Sequence, residues 1–129
     1  MAGHRRSNKP YVAVAGNIGC GKSTLVQVLC EHYGVRPLYE PNESNPYLKD
    51  FYSDMRAHAF KSQMWFLAQK FRMHQSLEAL DEAVIQDRTV WEDAEIFAAG
   101  LKHSRFIRSR DWALYREFYE GIKQAIRPP

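Results

Sequence analysis

The chain is 129 residues long, 45% hydrophobic and 26% charged, figures that fit a single folded domain and exclude a fibrous or generally disordered chain. Its net charge of +3 is modest, and no dense basic face stands out, which argues against a nucleic-acid partner. No apolar run approaches the roughly 18 residues that a membrane-spanning helix needs, so no membrane partner is expected either.

Residues 1–9 carry His4, Arg5, Arg6 and Lys9 and read as a disordered basic tail. No apolar stretch follows them directly, so they do not make a secretory signal. Residues 11–15 (YVAVA) are a short apolar run that stops at a glycine, the pattern of a buried parallel strand. A glycine-rich turn over 16–24 leads into a helix over 23–33, with Leu25, Val28, Leu29 and His32 at helical spacing and Gly34 as its C-cap. Cys20 and Cys30 match no disulfide or zinc spacing, so a reducing, cytoplasmic setting is the simpler expectation.

Residues 35–39 form a second strand, stopped by Glu40-Pro41; 42–46 is a turn and 47–52 a short helix. The longest regular segment is 56–80. Ala59, Phe60, Met64, Leu67, Phe71 and Leu80 recur there at steps of three and four, which predicts a long amphipathic helix. Its apolar stripe serves either the core or the face of a homodimer. A third strand over 83–86 runs straight into Asp87-Arg88, and helices follow over 92–101 and 111–126. Trp91, Trp112, Tyr115, Phe118 and Tyr119 are expected in the core.

This order of elements alternates as a parallel α/β sheet does. Three strands are few for such a sheet, and the chain stops where a fourth would begin. The expected fold is therefore α/β, a parallel sheet with flanking helices, incomplete, with about three of five strands present, and the glycine-rich motif over 16–24, taken next, makes it P-loop NTPase-type.

Gly16-Asn17-Ile18-Gly19-Cys20-Gly21-Lys22-Ser23-Thr24 fits G-x-x-x-x-G-K-[ST] and lies between a strand and a helix, the context this motif requires. Glycines let the backbone aim several N–H groups at one point, and the helix N-terminus adds partial positive charge there. Lys22 suits the β- and γ-phosphates of ATP, and Ser23 suits Mg²⁺. In open α/β sheets ligands lie beyond the carboxyl ends of the strands. Glu40 ends the second strand and Asp87-Arg88 the third. A carboxylate at such a place can take the proton of an acceptor hydroxyl, and cations can cover the charge of a moving phosphoryl group. Glu40 suits the first task, Arg88 and Lys22 the second, and Asp87 can hold Mg²⁺ directly or through water.

GNIGCGKST, then YEP at 39–41, then Gln63 within a helix, then DRTVWEDAEIFA at 87–98 together resemble the deoxynucleoside kinases, from about residue 11 to the end of the chain. The resemblance implies an enzyme that uses ATP and Mg²⁺ to phosphorylate the 5′-hydroxyl of a deoxynucleoside, with 10–129 as the N-terminal part of a P-loop deoxynucleoside kinase domain. It implies Glu40 as the base and Arg88 as the group that steadies Glu40 and the phosphoryl group. Tyr52 would bind the sugar 3′-hydroxyl, and Gln63 the base edge. Asp93 would complete base recognition with a cation from the long helix. Ile18, Leu48, Phe51 and Phe97 would wall the pocket, with Trp65 or Phe66 stacking.

The cation falls by count on Lys70, where the family usually has arginine, and lysine offers no bidentate fork. Thr89 stands where the family usually has serine. The runs NPYL (45–48) and WFL (65–67) look more like the bacterial purine enzymes, which favours deoxyadenosine or deoxyguanosine. An arginine-rich lid and a later acidic residue of the family lie beyond Pro129, so little kinase activity is expected of these 129 residues alone.

Two other classes compete. A thymidylate-type nucleoside monophosphate kinase shares the phosphate loop and an Asp-Arg pair, but its acceptor is an anion that Glu40 would repel. The other is a non-catalytic nucleotide-binding module, such as a regulatory subunit or a GTPase-like switch; a switch would carry Asp-x-x-Gly and Asn-Lys-x-Asp, and neither is present.

Overall fold

The computed structural model describes residues 9–17, 19–39 and 45–129. Three strands form one parallel sheet in the order β1 (Tyr11–Val14), β3 (Val84–Asp87), β2 (Arg36–Leu38). β1 pairs with β3 in the register Tyr11↔Val84 to Val14↔Asp87, and β2 pairs with it from Arg36↔Val84 to Leu38↔Gln86. All four residues of the central strand are buried, as a strand covered on both faces should be.

The two faces are covered by different helices. Ile85 packs with Val26 and Cys30 of α1 (Lys22–Tyr33), with Val14, Leu29 and Val35 at the margin. Val84 and Tyr11 pack with Leu77 of the long helix α3 (Met55–Ala79). The phase of α1 differs from the expectation: Val26 and Cys30 are buried, whereas Leu25 and Val28 are exposed. Gly34 does cap α1, at φ +66° with its N–H on the Cys30 carbonyl.

A short helix, α2 (Leu48–Ser53), precedes α3, and Asp54 between them accepts a hydrogen bond from the Ala57 amide as the N-cap of α3. After β3 the chain forms α4 (Val90–Glu92), a π-helical stretch (Asp93–Ala98), α5 (Ala99–His103) and α6 (Ser109–Ala125). Thr89 caps α4 by accepting from the Glu92 amide.

The largest core joins Leu67 of α3 to Val90, Ala94, Ala98, Tyr115, Tyr119 and Ile126. Phe60, Met64, Phe71, Trp91 and Trp112 pack at its margin, so most of the α3 stripe faces the core. Phe118, expected inside, is exposed because it falls outside the α6 face that carries Tyr115 and Tyr119. Of the expected tail, Lys9 is tied down by its carbonyl, which accepts from Arg127 at 2.6 Å, and the rest lies outside the described residues. Among the described residues no helix is long and apolar enough to cross a membrane.

His74 lies inside this framework, 1% exposed. Tyr11 and Trp91 meet its ring edge-on at 5.8 and 5.5 Å. Neither of its nitrogens has a hydrogen-bond partner among the described residues. Burial, aided by the charge of Lys70, brings its pKa down to about 4.

Candidate active site

Because β1 and β3 run parallel with Val14 opposite Asp87, the loop after β1 and the residues after β3 emerge at the same edge of the sheet. In the loop, Gly19 and Gly21 adopt φ of +78° and +89°, which glycine enters freely and other residues do not. Gly16 is needed for a different reason: a Cβ there would lie 2.8 Å from Cys20 Sγ. Cys20 donates its amide to the Asn17 carbonyl at 3.3 Å.

Lys22 and Ser23 open α1, and both reach one carboxylate. The Lys22 ammonium pairs with Asp87 Oδ1, and the Ser23 hydroxyl donates to Asp87 Oδ2 at 2.6 Å. Asp87 is fully buried. Thr24, the last residue of the motif, is exposed.

Arg88 follows with φ +65°, an uncommon conformation for a side-chain-bearing residue. Its amide donates to the Val14 carbonyl at 3.1 Å and its guanidinium to the Gly16 carbonyl at 3.0 Å. The guanidinium carbon also lies 4.1 Å from the centre of the Phe97 ring. Glu92, one helical turn on, completes the arrangement. Its Oε2 accepts from the Gly16 amide at 3.1 Å and lies 3.5 Å from Arg88 Nε.

Beside this cluster is a cavity of ≈ 570 Å³, a size that suits a small organic ligand. Leu48, Phe51, Tyr52, Gln63, Arg88, Asp93 and Phe97 all line it, so seven of the residues expected to hold a nucleoside come together. Tyr52 is 70% exposed and Gln63 only 7%. The π-helical stretch carries both Asp93 and Phe97, and such irregular turns often occur at functional sites.

Lys70 departs from the expectation. It is fully buried and is absent from the cavity wall. Its ammonium donates to Asp93 Oδ2 at 2.9 Å and to the Arg88 carbonyl at 2.7 Å, so it meets the cavity through Asp93. Burial pushes the Asp93 carboxyl above its ordinary pKa, and the neighbouring Lys70 and Arg88 charges oppose that rise.

Glu40 and Ile18 lie outside the described residues. Phe66 lines the cavity and Trp65 does not. The sequence reading missed Met55, Ile96, Leu101 and Phe106 in the wall, and it missed Glu92 altogether. Only the four-residue spacing of an arginine and an acid, Arg88 and Glu92, signalled that pair.

The sequence model of the deoxynucleoside kinases ("Deoxynucleoside kinase") matches residues 12–129. The chain belongs to the deoxynucleoside kinase family. A deoxyadenosine/deoxycytidine kinase of Bacillus subtilis (strain 168) is 31% identical over 122 residues, which are 95% of this chain and 56% of that relative. A deoxyguanosine kinase of Lactobacillus johnsonii is 38% identical over 118 residues, 92% of this chain and 52% of the relative.

The solved structure of a deoxyadenosine kinase from M. mycoides, with the products dCMP and a flexible dCDP bound, superposes with a TM-score of 0.79 at 30% identity. It covers 85% of this chain and 56% of that one. The sheet and its helices thus match a fragment of the P-loop-type deoxynucleoside kinase fold. The chain spans about half the length of the curated relatives it matches.

Proposed function

We propose that the protein carrying this chain transfers the γ-phosphoryl group of ATP to the 5′-hydroxyl of a deoxynucleoside, with a purine as the preferred base. One observation carries the reading: Arg88 touches the glycine-rich loop at Gly16 and the ring of Phe97 in the cavity wall, so a single side chain links a phosphate cradle to a nucleoside-sized pocket.

In this reading the backbone amides of Gly16–Thr24 and the Lys22 ammonium bind the triphosphate. Arg88 covers the charge that develops on the transferring group. Gln63 and Asp93 hold the base edge, an amide beside an acceptor oxygen, which suits a base with an exocyclic amine. Leu48, Phe51 and Phe97 enclose the rings, and Tyr52 at the exposed margin takes the sugar 3′-hydroxyl. Glu40 takes the proton of the 5′-hydroxyl.

The Ser23 hydroxyl and Asp87 carboxylate, 2.6 Å apart, are hard oxygen donors that fit Mg²⁺. Mg²⁺ held there would neutralise phosphate charge. The protein is expected to be cytoplasmic and to bind neither nucleic acid nor membrane. A homodimer through the long helix is compatible with the residues of 56–80 that face away from the core.

The test offers the full-length protein each deoxynucleoside and each nucleoside monophosphate with Mg-ATP and follows ADP release. Deoxyadenosine or deoxyguanosine should be the best acceptor. Glu40→Gln should retain ATP affinity and lose turnover by about 100-fold or more, the usual scale for a general base. Normal turnover by that variant overturns the assignment of Glu40, and ADP release with monophosphates alone overturns the reaction. The 129 residues on their own should turn over little.

A further inference from the structure

We propose that Glu92 is a positioning residue for phosphoryl transfer: its carboxylate fastens the entrance of the glycine-rich loop to Arg88 and so fixes where the guanidinium points. The inference rests on the reaction proposed above, but the geometry that carries it stands apart from that reaction.

Two contacts converge on Gly16, and a third joins the residues that make them. Its amide donates to Glu92 Oε2 at 3.1 Å, its carbonyl accepts from Arg88 at 3.0 Å, and the same Glu92 oxygen lies 3.5 Å from Arg88 Nε. Both polar groups of one peptide residue are thus held by the two members of one ion pair. Gly16 is the first residue of the loop, and its nearest side-chain neighbour, Cys20 Sγ, leaves no room for a Cβ. The loop entrance has little freedom to shift unless Arg88 and Glu92 shift with it.

The pair is well placed to hold. The Arg88 and Glu92 side chains are 10% and 9% exposed, so water screens the interaction only weakly. Glu92 is itself fixed from behind, because its amide donates to the Thr89 hydroxyl at 3.3 Å. Thr89 lies between Arg88 and α4 and is buried. Arg88 already holds a costly backbone conformation at φ +65°. Among the described residues Glu92 gives this side chain an anionic partner at its far end.

Glu92 does not itself line the cavity, which it meets only through Arg88, and it makes no bond to the carboxylate shared by Lys22 and Ser23. Its action on chemistry is therefore indirect, through Arg88 and Gly16. A group that aims a transition-state cation should alter turnover more than binding of either substrate.

The test uses Glu92→Gln in the full-length protein, because glutamine keeps an acceptor oxygen for the Gly16 amide while it removes the charge and puts an NH2 in place of the other oxygen. With Mg-ATP and the best deoxynucleoside, kcat should fall about 10- to 100-fold, while both KM values and the ATP Kd stay within about threefold. Glu92→Asp should recover part of the loss.

A readout free of activity is the ¹⁵N-labelled protein. The Arg88 Nε–H signal should be protected from exchange in the wild type and exposed in Glu92→Gln, with the Gly16 amide shifting in step. Unchanged kcat, or parallel losses of kcat, ATP affinity and Tm, overturns the proposal. So does an Arg88 signal that ignores the substitution. If the wild type phosphorylates no deoxynucleoside but the Arg88 and Gly16 signals respond as stated, the reaction proposed above fails and the clamp stands.

Discussion

Lys70 is the residue whose sequence reading and structural position differ most. Counting from Gln63 made it a candidate for the base edge; folding places it one layer back, on Asp93 and the Arg88 carbonyl. With Lys70 fully buried and Asp93 4% exposed, the ion pair cannot be replaced by water if one member is lost. Removing one partner of a buried pair typically costs about 3–5 kcal/mol, because the other charge is left buried alone. Lys70→Met in the full-length protein should therefore lower the unfolding free energy, read from denaturant titration, by an amount of that order. Lys70→Met with Asp93→Asn should recover most of it. A double variant no more stable than the single one counts against this account.

At the scale of elements, α3 brings a titratable group into the interior. His74 is neutral in the fold, with a pKa of about 4, against an ordinary value of 6.5. Above pH 6.5 the imidazole is neutral in both folded and unfolded chains and has no effect on stability. As pH falls from 6.5 toward 4 the unfolded chain takes up a proton that the folded chain refuses. Stability then drops by up to about 1.4 kcal/mol per pH unit from this group. Replacing His74 with phenylalanine should flatten the fall in Tm between pH 7 and pH 5 relative to wild type. Parallel profiles would show that the ring is not buried neutral.

The elements themselves were largely legible. A glycine follows the first strand and Glu40-Pro41 the second, and the three-and-four spacing of α3 survives folding with its ends moved by only one residue. The phase of α1 was not legible, because Leu25, Val26, Val28 and Leu29 are all apolar and spacing alone cannot choose between adjacent faces. The site was legible where a motif carried it, as in the glycine-rich loop and Asp87-Arg88. Glu92 was hidden, since an acid in a helix reads as a solvated one until the Gly16 amide is seen beside it.

Across the whole molecule, the sheet is built around β3, which has a neighbour on each side, whereas among the described residues β1 pairs with β3 alone. Val12 of β1 is 48% exposed, and Leu25 and Val28 of α1 are 48% and 56% exposed. An unpaired strand edge is a template for association, and exposed apolar side chains favour it. The 129-residue chain alone should therefore self-associate with rising concentration in sedimentation experiments. Val12→Lys should shift it toward monomer without changing the far-UV spectrum. A chain that stays monomeric at high concentration contradicts this.

The edge-on contact between His74 and Trp91 has a practical consequence. Trp91 immediately precedes Glu92 in the chain, and the only other indoles are Trp65 and Trp112. Replacing those two with phenylalanine leaves a single tryptophan, beside the imidazole and one residue from the loop clamp. Its emission then becomes a built-in optical gauge, dimming as the imidazole gains its proton and shifting when Arg88 is disturbed, with no dye attached.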